Sequence, residues 1–340
     1  MAKKLIQLFI FLGLGIFFIW LSVKDLTQKD IEIIKNSASG ILNFNSLLFI
    51  SISMVCGIVA HYFRALRNIL LIDPLGYSVR KITAFYSVMT CYLANLAIPR
   101  LGEVLRCTFL QRYDKIPFQK SIGTVVVERA FDFLIFLLLF ILIVFFNRGL
   151  ISELEISQQF VEWVNDKWLF LWSMKYVTLG IIIGVILVFF IFKNRSKRQF
   201  KKISEFIKRM VEGLWQGLIS IKDLKHPWLF VIYTVAIWVF YFLGTFSCMF
   251  AFHFLQHLGP MPAFIVLVVG SIGFMIAQGG LGAYPLFVAG ILVLYGVNYA
   301  QGLAAGWIGW TAQTLMILIV GVPVLILSSF LKIEDRKINE

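Results

Sequence analysis

Polar and apolar positions along this chain segregate into long apolar runs joined by short charged segments. The runs 5–23, 45–63, 119–146, 175–192, 228–250 and 303–331 are long enough, or nearly so, to cross about 30 Å of hydrocarbon as helices of about 20 residues. Two further stretches, 83–112 and 262–297, are apolar but interrupted. The first is broken in "YLANLAIPRLGEVLRCTF" (92–109), the second in "AQGGLGAYP". Pro99 has no N–H to donate and disfavours helix in the residue before it, so a break near Ile98 is predicted. Composition agrees with the pattern: the chain is 60% hydrophobic and 14% charged, with a mean hydropathy of +0.87. A soluble domain carries about 25% charged residues, so the chain reads as an integral membrane protein.

Charge placement orients the spans. Lys3 and Lys4 precede the first run, which no A-x-A site follows, so it reads as an uncleaved span with its N-terminus inside. Arg64, Arg67, Arg80 and Lys81 return to that side after two crossings. A complete third crossing at 83–98 would then export Arg100, Arg106, Arg112, Lys115 and Lys120, against the tendency of basic loops to stay inside. The contradiction disappears if 83–112 is a re-entrant hairpin, because irregular backbone at membrane depth is tolerated where it is buried or lines a wet cavity. The phase then holds downstream. Loop 147–174 carries Glu153, Glu155, Glu162 and Asp166 against Arg148 and Lys167, as an outside loop can. The segment 193–209 is strongly basic, as an inside loop should be. The stretch 262–297 becomes a second hairpin breaking at Gly279, Gly280 and Gly282.

The expectation is an all-α polytopic bundle forming a single domain over 1–340, with about six full spans and two re-entrant hairpins. It would sit in the cell inner membrane with both termini cytoplasmic. Residues 5–146 form one structural repeat and 175–331 an inverted second one, an arrangement found in transporters. Residues 199–222 place Ile203, Phe206, Ile207, Met210, Leu214 and Leu218 at helical spacing. They predict an amphipathic helix that either lies on the cytoplasmic leaflet or caps the bundle.

The net charge of +13 lies in short loops between apolar runs, which indicates membrane orientation and anionic headgroups rather than nucleic acid. Cys56, Cys91, Cys107 and Cys248 have no CxxC spacing and imply neither a disulfide framework nor a zinc site. His253 and His257 lack a third ligand nearby, so no metal is expected. His61, Arg64 and Arg67 read as an interfacial anchor at the inner end of the second span.

Two charged clusters fall where hydrocarbon is expected, at a cost of roughly 2.5–3.5 kcal/mol per group at the membrane centre. One is Arg100, Glu103 and Arg106 around the first hairpin tip; the other is Glu128, Arg129 and Asp132 in "VVVERAFD". A helix starting near Phe118 puts Glu128 about 15 Å and Asp132 about 21 Å deep, and a hairpin arm from Thr83 to Pro99 reaches about 24 Å. The clusters can therefore meet. They could pin the hairpin as a scaffold or line a cavity that receives an anionic headgroup. The turn "QGGLGAYP" of the second hairpin offers only Gln278 and Tyr284 as polar side chains, and its glycines suit either close packing or substrate contact. The candidate substrate-binding set is thus Arg100, Glu103, Arg106, Glu128, Arg129, Asp132, Gln278 and Tyr284. The candidate hinges are Pro99, Gly102, Gly279, Gly280 and Gly282.

With "PRLGEVLR" followed some 20 residues later by "VVVERAFD", and the late "GGLGAYP", the chain resembles the transmembrane part of the lysylphosphatidylglycerol synthase/flippase family over nearly its whole length. The family's second hairpin motif often carries a glutamate where Tyr284 and Pro285 stand here. Two-domain synthases attach a soluble aminoacyltransferase domain, whereas this chain ends at "LKIEDRKINE". The resemblance therefore implies lipid translocation without lipid modification, no cofactor, and a phospholipid or other polar-headgroup lipid as partner. An intramembrane transferase acting on a lipid-linked substrate is one alternative, although no phosphate-binding loop, HExxH pair or nucleophile–base motif is visible. A non-transporting membrane scaffold is another.

Overall fold

In a computed structural model of the protein, the described residues are 2–98, 100–146 and 224–330. They are helical throughout, without a strand. In chain order the helices are α1 (Ala2–Val23), α2 (Gln28–Ser39), α3 (Phe44–Ile72), α4 (Lys81–Ala97), α5 (Leu101–Asp114), α6 (Phe118–Phe146), α7 (Pro227–Phe250), α8 (Pro260–Ile276), α9 (Ala283–Val293) and α10 (Tyr299–Ser328). Short 3-10 turns lie at Asp73–Leu75, His253–Leu255 and Gln278–Gly280. The chain divides into two compact units, one of 1–136 with 214–340 and one of 137–213. Of the second, only the end of α6 is described.

Among the described residues, three helices are long and apolar enough to cross a membrane: α3 with its following turn, α7 and α10. All three leave apolar side chains uncovered. Val55, Val231, Val235, Ile319 and Ile326 are more than half exposed, which a lipid environment accommodates and water would not. Capping sets where the helices begin. Thr27 and Asp30 form a reciprocal capping box on α2, and Asn43 Oδ1 accepts from the Ser46 N–H at the start of α3. Pro227 and Pro260 occupy the first turns of α7 and α8, where the missing N–H costs nothing.

The core is built from pairs. α3 lies along α7, fixed at one end by the Ser46 hydroxyl donating to the Ala251 carbonyl at 2.6 Å. Leu71, Val127 and Phe230 pack together near the other end. α9 packs on α10 and α8, α4 packs on α5 and α10, and α2 lies against α10. The largest apolar cluster joins Met249, Phe252, Leu255, Val266, Val288 and Leu292.

Two helix–turn–helix units stand out because none of their four arms spans a bilayer alone. α4 and α5 have 17 and 14 residues, and α8 and α9 have 17 and 11. At about 1.5 Å per residue the longest is roughly 26 Å, short of about 30 Å. Of the expected hinge residues, Pro99 lies outside the described residues. The expected loop 147–174, the span 175–192, the basic segment, the amphipathic helix 199–222 and the residues after 330 also lie outside them.

Candidate functional site

The first hairpin is closed at both ends by side chains of its own sequence. At its base, Arg80 on α4 pairs with Asp114 on α5 at 2.9 Å and also donates to the Tyr113 carbonyl at 3.1 Å. At its tip the backbone turns through Arg100, which adopts φ +60°. Gly102 sits in the first turn of α5, where a Cβ would lie 2.0 Å from the Cys91 carbonyl oxygen. Only glycine permits that approach. Its N–H donates to Asn95 Oδ1 at 2.8 Å, locking the two arms together. The left-handed turn position of this hairpin is thus Arg100, and Gly102 serves the close approach of α4 and α5.

Against this hairpin lies α6, and the two charged clusters meet as the spacing predicts. Arg106 forks onto Glu128 with two bonds of 2.8 and 3.1 Å, and the pair is sealed, with side chains 2% and 1% exposed. Arg129, rotated about 100° around the helix, does not reach Asp132. It crosses to Glu103 at 3.1 Å, in a pair left 41% and 23% exposed. Asn95 lies at the edge of hydrogen-bond reach of Glu103, at 3.4 and 3.5 Å. Arg100 is exposed and forms no ion pair among the described residues.

Asp132 finds its partners on α3. Arg64 pairs with its Oδ2, and Arg67 Nη2 stands 2.8 Å from its Oδ1. Arg67 is fully buried, donates to Thr234 on α7 at 3.2 Å and stacks over the Phe230 ring at 5.6 Å. Asn68 reaches Thr124 on α6 at 3.3 Å, and the His61 ring lies 4.1 Å from that of Tyr92. The expected interfacial anchor is therefore an internal feature: His61, Arg64 and Arg67 are all buried within the bundle. The reason is that α3 does not stop after the arginines. "NILLI" continues it to Ile72 and carries both guanidinium groups inward. A sequence signal existed, because His61, Arg64 and Arg67/Asn68 recur at three- and four-residue spacing, complementary to Glu128 and Asp132 on α6.

The second hairpin is built from backbone. Gly279, Gly280 and Gly282 have φ of +58°, +74° and +72°, a region open to glycine at no steric cost. A Cβ on Gly282 would lie 2.6 Å from the Ile19 nitrogen of α1, so this tip is also clamped from outside. The two hairpin tips touch. Gln278 Nε2 donates to the Leu96 carbonyl at 3.0 Å, capping the last turn of α4. Trp310 on α10 in turn donates to the Gly279 carbonyl at 2.7 Å. Tyr284 behaves differently from Gln278. Its ring fills the space beside Gly270, 5.0 Å from the Phe274 ring, within the large apolar cluster. It makes no hydrogen bond to the charged residues among those described.

The sequence model of the family described as "Lysylphosphatidylglycerol synthase TM region" matches residues 4–321. The "UPF0104 membrane protein MJ1595" of Methanocaldococcus jannaschii is 26% identical over 163 residues, covering 47% of this chain and 44% of that protein. The chain thus aligns with less than half the length of this curated relative. No solved structure matches the chain.

Proposed function

We propose, for a chain that belongs to the lysylphosphatidylglycerol synthase transmembrane-region family, that it moves a lipid with a polar or anionic headgroup from one leaflet to the other. The observation that carries this reading is the imbalance of the internal charge network. Arg64 and Arg67 share Asp132, Arg106 takes Glu128 and Arg129 takes Glu103, so four guanidinium groups meet three carboxylates, and exposed Arg100 beside them has none among the described residues. A scaffold that only held helices together would gain nothing from the excess, since buried positive charge beyond what the carboxylates offset is costly. An anionic headgroup would neutralise the excess, and arginine presents a planar fork suited to phosphate oxygens.

In this reading the two hairpins are re-entrant, their arms being too short to cross, and the chain is an inverted repeat of about six spans with both termini cytoplasmic. Broken helices meeting near the midplane are where transporters of this type place their sites. The Gln278–Leu96 bond at 3.0 Å is such a meeting point. The sealed Arg106–Glu128 pair holds hairpin against span, while the half-open Arg129–Glu103 pair and exposed Arg100 are the groups a headgroup can reach. Acyl chains remain in lipid. Glu103 competes with the cargo for Arg129, which keeps binding weak enough for release. The family assignment concerns the transmembrane region, and no lipid-modifying step is included in this reading.

The test is lipid movement by purified protein in liposomes. The wild type should carry a labelled anionic phospholipid across faster than protein-free vesicles, under an imposed ion gradient if required. Arg129→Gln should slow it at least about tenfold, corresponding to about 1.4 kcal/mol. Lys201→Ala, in the basic segment, should leave the rate unchanged. Equal slowing by both, or no movement by the wild type, would overturn the proposal.

A further inference from the structure

Far along the bundle from the arginines lies a cavity that the charged network does not use. It has a volume of about 330 Å³, opens to the surface and is lined by α2 and the residues after it, the turn after α7 and the first turn of α10. The long helix α3 begins here at Phe44, α7 ends here at Phe250 and α10 begins here at Tyr299. The three helices among the described residues with the length and apolarity of a span therefore reach their limit at this level. Such a level corresponds to the boundary between hydrocarbon and water.

The cavity wall is chemically distinct from the charged site. No lysine, arginine, aspartate or glutamate lines it. The polar side chains present are Asn36, Ser37, His253 and Gln301, set beside Phe252 and Phe254. Two side-chain bonds anchor backbone carbonyls of the wall. Asn43 Nδ2 donates to the Gly40 carbonyl at 2.6 Å, and the Ser46 hydroxyl occupies the Ala251 carbonyl at 2.6 Å. None of the four polar side chains is committed to another partner among the described residues. What remains is a pair of amides, a hydroxyl and an imidazole, each able to donate and to accept.

We infer that this cavity binds an uncharged, hydroxyl-bearing group, a sugar or a polyol. A phosphate or carboxylate would find no counter-charge there, and desolvating it without one is costly. A purely apolar occupant would displace water from half-buried Ser37 and Gln301 and from exposed Asn36 and His253 without replacing its hydrogen bonds. Hydroxyl groups both donate and accept, as amides do, and the aromatic side chains supply apolar surface for the C–H face of a sugar ring. The volume lies at the small end of the range for ligand pockets, about 300–1,000 Å³, and suits one ring. The position at the ends of the spans fits the headgroup of a lipid still seated in the bilayer, and equally a free sugar arriving from water. The inference does not depend on lipid movement between leaflets.

Hydrogen exchange on the full chain in phosphatidylcholine nanodiscs tests it, with three probes: methyl glucoside in solution, glucosyl-diacylglycerol in the disc, and diacylglycerol in the disc as the headgroup-free control. At about ten times its Kd, a binding probe should slow exchange in 33–41 and 251–254 about tenfold. Protection by the glucolipid alone assigns the site to a lipid headgroup. Protection by methyl glucoside assigns it to sugar without need of the lipid. Asn36→Leu/Gln301→Leu should abolish either, with exchange in α9 unchanged as the sign of an intact fold. Ser37→Val serves the same purpose if the double variant fails to fold. No protection by either sugar, equal protection by diacylglycerol, or protection that survives the substitutions would each overturn the inference.

Discussion

The two hairpins have the same outline and opposite chemistry. In α4–α5 the arms are joined and positioned by side chains: Arg80–Asp114 at the base, Asn95 at the tip, Arg106–Glu128 against the neighbouring helix. In α8–α9 the turn is made by three glycines of positive φ, and its carbonyl is held by Trp310. One hairpin places charge in the bundle and the other brings backbone close. A broken helix leaves unpaired backbone groups that must find partners inside the protein. Here the glycine hairpin supplies Gln278 to the end of the charged one. In the proposed reading, the charged hairpin is the one that meets the headgroup.

The most damaging way to break this contrast is to orphan a sealed charge. Arg106→Ala leaves Glu128 buried without its fork and should destabilise the protein by about 3–5 kcal/mol, read as a fall in midpoint on denaturant or thermal unfolding in detergent. Replacing both residues with Met should recover much of that loss, because a well-packed apolar pair is often neutral or better. If the single variant is as stable as wild type, the charged hairpin is not held as described.

In the other hairpin the corresponding weak point is steric. Gly282→Ala forces a Cβ to 2.6 Å from the Ile19 nitrogen at φ +72°, and should cost about 1–3 kcal/mol. Gln278→Leu removes the tip-to-tip bond and should cost about 0.5–1.5 kcal/mol. It should change lipid movement more than it changes the melting midpoint; a shift in stability alone would demote the contact to packing.

The smallest stability effect belongs to the pair that the proposed reading puts within reach of the headgroup. Arg129→Gln touches a half-exposed bridge, and such pairs contribute about 0–1 kcal/mol. Its melting midpoint should sit near that of the wild type while lipid movement falls. A large stability loss would place Arg129 with Arg106 as structure and dissolve the distinction between sealed and open pairs.

Local chemistry, acting through the cost of single residues, was legible in the chain itself. The apolar runs that became α3, α7 and α10, the breaks at Ile98 and at Gly279–Gly282, and the meeting of Glu103 and Arg106 with the "ERAFD" segment follow from hydropathy, missing N–H groups and helical rise. Partner choice was not legible. Whether Arg129 turns to Asp132, three residues away, or to Glu103, twenty-six residues back, depends on the rotation of α6 against α5. The capture of Asp132 by Arg64 and Arg67 depends on where α3 ends and how it lies beside α7. The Gln278–Leu96 contact spans 182 residues, and the cavity of Asn36 and Gln301 is walled by elements still farther apart in the chain. Such contacts are fixed by the register and rotation of packed helices, quantities that no single segment carries, so only the assembled bundle decided them.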